Sequence, residues 1–228
     1  RARAVALPSL WGQRLRPRAM KFRDIHTHNL QAPPGSLISL PLEVLLQGPQ
    51  AFAWRQGVAY SVGLHPWFVP EEWPAVVDAL SDWLRWPQVV ALGECGLDRL
   101  CATPYDRQLL AFRAQLALAC RQAVPLVLHC VRAWDDVLPL LRREGPWPSD
   151  VVFHGFRGKP QQARQLFSKG YGLSFGPRFN AASLRLCPPA RRYAETDDSA
   201  FSIAQVEALH RQALGEAFGA CPPQNDFR

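Results

Sequence analysis

Short apolar runs rich in Val, Ile, Leu and Phe alternate along the chain with longer stretches of helical period. The runs are Phe22–His28, Leu37–Leu42, Val58–Leu64, Val89–Glu94, Val124–His129, Val151–His154, Tyr171–Phe175 and Arg192–Asp197. Most are apolar throughout rather than alternating, the pattern of strands covered on both faces. Between them, Glu71–Trp86, Tyr105–Gln122, Trp134–Arg143, Gln161–Lys169 and Ser202–Phe218 carry apolar residues at helical spacing, which predicts amphipathic helices. Pro104 and Pro160 stand where helices begin, and Asp198–Ser199 offers cap residues for the last one. Strands alternating with helices imply parallel pairing and right-handed crossovers, hence an α/β fold: a TIM-type (β/α) barrel or a doubly wound sheet. Only Asn29–Leu37 separates the first two runs. That is too short for a crossover helix, so the barrel is expected to be trimmed at its first crossover.

The termini and composition change this picture little. Residues 1–19 contain five arginines and no acid, and Met20, the sole methionine, immediately precedes the first strand. We read 1–19 as a non-native or disordered leader and 20–228 as a single barrel domain. The net charge of +7 falls to about +2 without that leader, so charge by itself does not argue for a polyanionic substrate. No apolar run reaches the roughly 20 residues of a membrane-spanning helix. The six cysteines have no CxxC spacing, as expected of free thiols in a reducing cytoplasm. The aromatic residues suit core packing or base stacking equally well.

The histidines carry more information. Five of the six (His26, His28, His65, His129 and His154) fall at the C-terminal ends of predicted strands, and only His210 lies in a predicted helix. In barrel enzymes that edge holds the active site. His26 and His28, two apart on one strand, share a face and can bind one ion, with Asp24 on the same face as a candidate orienting partner. Glu94 ends an apolar strand, where a carboxylate needs a cation: an arginine or a metal. His129, His154 and Asp197 end three further runs. Taken singly, the histidines also read as core or exposed imidazoles, and Asp197 as a helix cap. Together, the six form an N/O ligand set suited to Mg, Mn or Zn. Two divalent metal ions sharing Glu94 would activate a water for in-line displacement, with Asp197 as its general base. Lys21, Lys159 and Lys169 all lie away from strand ends, which leaves any bridge to a carboxylate. Arg132, Arg157 and Arg178 follow strands at the same rim and are candidate phosphate contacts.

The motifs DIHTH (24–28), GLHPW (63–67), GECGLD (93–98), LHC (128–130), FHGF (153–156) and ETD (195–197) occur in this order, with QNDFR at the end. In this the chain resembles the TatD-type metal-dependent hydrolases, relatives of the amidohydrolase barrels. The resemblance implies two divalent ions held by His26, His28, bridging Glu94, His129, His154 and Asp197. It implies His65 near a substrate phosphate, and DNA or another nucleic acid as substrate; the sequence itself shows no sign of a membrane or an obligate protein partner. Members are described as deoxyribonucleases, while some relatives hydrolyse D-aminoacyl-tRNA. The expected function is therefore cleavage of DNA phosphodiesters by metal-activated water. A different ester or amide, or a non-catalytic metal-binding barrel, is the alternative. The shortened first crossover, Arg157 in place of threonine and the missing proline after ETD depart from the family pattern around the substrate rather than around the ligands.

Overall fold

A computed structural model describes residues 21–145 and 150–215. The expected leader, Cys221 and the C-terminal QNDFR motif lie outside these residues.

Eight parallel strands pair in sequence order: β1 (Asp24–Thr27), β2 (Ser36–Ser39), β3 (Ala59–Val62), β4 (Val89–Asp98), β5 (Leu126–Val131), β6 (Val151–Phe153), β7 (Gly172–Phe175) and β8 (Arg192–Ala194). The ring closes just beyond β8. Thr27 bridges to Asp197, the Asp197 N–H donates to the His26 carbonyl at 2.9 Å, and the His28 N–H donates to the Asp197 carbonyl at 3.2 Å. The last barrel seam thus passes through candidate ligands from both ends of the chain.

Helices α1 (Leu42–Leu45), α2 (Trp73–Trp83), α3 (Tyr105–Gln122), α4 (Trp134–Glu144), α5 (Pro160–Phe167), α6 (Ala181–Leu186) and α7 (Ile203–Leu214) lie between and after the strands. No helix joins β1 to β2, as their spacing predicts. The next crossover is also reduced, to the single turn α1. Both α1 and α6 are too short to register as a helical period, and neither was anticipated. The last helix starts later than Asp198–Ser199 suggests. Its cap is a Ser202–Gln205 capping box, which satisfies the first-turn amides reciprocally.

Two apolar layers follow from strand geometry. Ile25, Leu37, Ala59, Ala91, Val127 and Val152 form a small cluster of their own, which plugs the barrel interior. The alternate strand residues pack against the helices, where Trp83, Phe112 and Leu116 are fully buried. Each such side chain contributes about 1.5–3 kcal/mol by leaving water. Two buried glutamines on α3 then hold the rim in place. Gln115 accepts from the Leu64 N–H (2.7 Å), and Gln108 accepts from the Asp98 N–H (2.8 Å) and donates to its carbonyl (3.0 Å). The ends of β3 and β4 are therefore tied to one helix.

Candidate metal centre

Two strand irregularities aim the candidate ligands inward. Along β1 the pairing moves from Asp24↔Ser36 to Thr27↔Ile38, three steps against two. Along β4 it moves from Leu92↔Leu126 to Cys95↔Leu128, again three against two. An extra residue reverses the side-chain phase beyond it. Ile25 packs inside the barrel, and after the shift so do His26 and His28; Leu92 packs outside, and after the shift Glu94 points in. The β1 irregularity also corrects the reading of Asp24. It lies before the shift and so on the opposite face, where it accepts from the Thr196 N–H (3.0 Å) and hydroxyl (2.6 Å) rather than orienting an imidazole. Gly96 makes the close approach of β4 to β5 possible. A Cβ there would stand 1.9 Å from the His129 carbonyl oxygen, and its φ of +149° is one that L side chains rarely adopt.

All six predicted ligands, and His65, meet at the C-terminal mouth of the barrel, with Glu94 in the middle. Its Oε2 lies 3.1 Å from Nε2 of both His26 and His28. Those two nitrogens also lie 3.6 and 3.5 Å from Asp197 Oδ1. The other oxygen, Oε1, lies 2.7 Å from His129 Nδ1, 2.7 Å from His154 Nε2 and 2.9 Å from His65 Nε2. The carboxylate thus faces two separate ligand groups, one with each oxygen.

The ring protons sort ligands from donors. A metal-bound imidazole gives its second N–H to a hydrogen-bond acceptor. His129 Nε2 faces Asp98 Oδ2 at 3.3 Å, so that ring can turn its other nitrogen, unprotonated, toward Glu94; His154 Nδ1 lies 3.8 Å from Glu195 Oε2, beyond hydrogen-bond reach, and its proton is not fixed in this way. His65 is the reverse case. Its Nδ1 accepts the Trp67 N–H at 3.1 Å, which leaves the proton of the neutral ring on Nε2. By distance alone His65, Glu94 and His129 could also hold an ion. That tautomer argues against it and makes His65 a hydrogen-bond donor facing the cluster.

The cluster fits a cation. Among the described residues, both ring nitrogens of His26, Oε2 of Glu94 and Nδ1 of His154 are buried with no hydrogen-bond partner. His26 Nε2 and Glu94 Oε2 are near each other but not aligned for a hydrogen bond. Burial would push the Glu94 carboxyl up, but the facing His154 and His26 imidazoles hold it well below the usual carboxylate range. Against its own burial, His154 is raised to about 10 chiefly by Glu94, whereas burial lowers His26 to about 4.

The remaining predicted residues are more dispersed. Arg157 and Arg178 are exposed and line a small pocket beside Asp197, adjoining a cleft that opens over the cluster. Arg132 is exposed and lines neither cavity. Asp98 and Glu195, behind His129 and His154, were quoted only as motif letters. The clue for Asp98 was a carboxylate closing the mostly apolar β4, whereas Glu195 follows the polar Arg192–Ala194 and carried no such signal. Asp98 also accepts from Trp67 Nε1 (2.6 Å) and the Leu100 N–H (2.7 Å). Glu195 accepts from the Gly155 N–H and the Ser174 hydroxyl, both at 2.6 Å, and burial raises it to about 7. His210, the one histidine placed in a predicted helix, is buried in α7 with Nε2 3.4 Å from the Gly176 carbonyl, and so supports the loop that carries Arg178.

The family model for TatD related DNases matches residues 50–200, well over half of the chain. A 3'-5' ssDNA/RNA exonuclease TatD of Klebsiella pneumoniae is 41% identical over 115 residues, which cover 48% of this chain and 42% of that protein. An uncharacterized metal-dependent hydrolase, YabD of Bacillus subtilis, is 32% identical over 124 residues, covering 51% and 46%. The chain spans about half or less of the length of these curated relatives. Among solved structures, YjjV, a TatD homolog from Escherichia coli K12, superposes with a TM-score of 0.68 at 25% identity, covering 86% of this chain and 91% of that one. A TatD family hydrolase of Entamoeba histolytica shares the fold at a TM-score of 0.66 and 16% identity. An eight-stranded parallel barrel with this cluster at its mouth, and a family match across its middle, lead to one assignment: the chain belongs to the TatD-related DNase family.

Proposed function

We propose that the chain is a divalent-metal-dependent hydrolase that cleaves phosphodiester bonds in single-stranded nucleic acid. The observation that carries this reading is Glu94, whose two oxygens each face a different set of imidazoles. The residues to hold two ions are His26, His28 and Asp197 on one side and His129 and His154 on the other, with Glu94 between. When bound there, divalent cations polarise a phosphoryl oxygen and make water nucleophilic near neutral pH.

The chain's own side chains do the rest. Asp197 lines the cleft with its side chain a quarter exposed, and serves as the base that takes the proton from the attacking water. Its backbone is in the left-handed region (φ +54°), pinned by the His26 and His28 backbone bonds, so its carboxylate is held at the seam. His65 donates its Nε2–H to a phosphate oxygen. Arg157, beside Asp197, receives the neighbouring phosphate. The names of the relatives, among them ssDNA/RNA exonuclease and metal-dependent hydrolase, support this class of reaction. Among the described residues no helix is long and apolar enough to cross a membrane, and five cysteines are free, which suits a cytoplasmic enzyme.

Labelled single-stranded DNA incubated with Mg²⁺ or Mn²⁺, with and without EDTA, tests the reading. Chelator-sensitive cleavage is expected. Absence of cleavage with every divalent ion, together with turnover of D-aminoacyl-tRNA, would replace the substrate while keeping the metal centre.

A further inference from the structure

Resting on that reading, we propose that Trp67 and Phe68 form a stacking seat for the unpaired base of the nucleotide being cleaved. The main cleft, about 410 Å³ in volume, has the metal cluster for its floor and a largely apolar wall. Among the described residues lining it, none is a lysine or arginine, while Glu43 and Asp198 are acidic. This space does not attract a run of phosphates. It suits an uncharged flat group attached to the one phosphate at the cluster.

Trp67 and Phe68 supply a surface for such a group. They are 53% and 59% exposed, and, unlike the other exposed large apolar side chains among the described residues, stand side by side on the wall of the cleft. Both lie on the short 3-10 turn Pro66–Phe68 that His65 caps, with ring centroids 5.0 and 5.7 Å from the His65 ring. The turn is fixed despite its exposure. Trp67 Nε1 donates to the buried Asp98 carboxylate at 2.6 Å, and the Trp67 carbonyl accepts from the Thr103 hydroxyl at 2.9 Å. An exposed indole anchored by a buried acid is already oriented before anything binds, so little ordering entropy opposes stacking on it. Pro41 and Leu42 line the same cleft, at the start of the single-turn helix α1. Bases within a duplex already stack on one another and cannot offer a face here. The seat therefore selects unpaired ends, with little preference among bases.

The test compares wild type with the Trp67→Ala/Phe68→Ala double variant on two single-stranded oligonucleotides. One carries ordinary terminal nucleotides, and the other is abasic at its ends. Removing the base should lower wild-type kcat/KM about ten-fold, the scale of one base–aromatic stack, and the double variant should lose as much on the ordinary substrate. On the abasic substrate the loss caused by the variant should be about ten-fold smaller than on the ordinary one, because whatever the missing Trp67–Asp98 hydrogen bond costs is common to both substrates. Equal sensitivity to base removal in the two proteins would overturn the seat. Trp67→Phe, which keeps a ring but not the Asp98 hydrogen bond, should recover part of the loss, and circular dichroism with metal content checks folding. If wild type cleaves neither oligonucleotide, the nuclease reading fails. The seat is then tested by calorimetry on the Mn²⁺-loaded protein. Deoxyadenosine monophosphate should bind about ten-fold tighter than deoxyribose 5-phosphate to wild type only. Equal affinities in wild type would overturn the seat.

Discussion

Glu94→Gln is the sharpest perturbation of the proposed centre, because it keeps the shape of the side chain while removing its charge and turning one of its two acceptor oxygens into an NH2 donor. Both oxygens of Glu94 face imidazoles, Oε2 at 3.1 Å from two ring nitrogens and Oε1 at 2.7 Å from two more. The substitution should therefore weaken both halves of the site. Loss of a partner one shell away from a metal lowers affinity about 10- to 100-fold, and loss of the shared ligand should reach at least the upper figure, about 2.7 kcal/mol per ion. At a metal concentration about 100 times Kd, a bound ion stabilises the wild-type fold by about 2.7 kcal/mol. For a domain of this size that is a rise in Tm of about 5–11 °C. At the same concentration the variant sits near its own Kd and gains only about 0.4 kcal/mol, or about 1–2 °C. Elemental analysis and thermal melts with and without Mn²⁺ or Zn²⁺ measure both quantities. Unchanged metal content, or an undiminished gain in Tm, would refute the bridging role.

Three further outcomes follow from the geometry. Asp98→Ala should weaken the ion on the His129 side about 10- to 100-fold while sparing the His26/His28 side, as titration calorimetry can resolve; equal loss at both would show that Asp98 acts on the fold and not through His129. Gly96→Ala should destabilise the protein by more than about 4 kcal/mol or prevent folding, because the new methyl meets the His129 carbonyl; a urea midpoint like that of wild type would contradict the close approach of β4 and β5. Burial lowers the pKa of His210 in the fold, so the neutral ring adds stability that is present above its unfolded value of about 6.5 and lost as pH falls below it. His210→Gln should flatten the loss of stability between about pH 7 and about pH 5, and an unaltered slope in denaturant titrations would count against that burial.

Much of this was legible in the chain because strand and helix periods are local properties. Continuous apolar runs between amphipathic stretches indicated a parallel barrel, and α3 occupies the very range its pattern predicts. Histidines at run ends could be recognised as a set, since a β/α barrel gathers those ends onto one rim whatever their separation in sequence. What the pattern alone could not reveal was phase. A strand read at strict period two puts Asp24 beside His26 and Glu94 beside Leu92. One extra residue in β1 and another in β4, visible only through pairing with a neighbour, reverse both placements. The same limit applies to proton positions. Whether a histidine ligates or donates depends on what its far nitrogen meets: the Trp67 amide for His65, Asp98 for His129. The first is set by the local turn that His65 caps and the second only by folding, so local sequence determined which residues could form the centre, and backbone conformation and tertiary pairing decided which way each one faces.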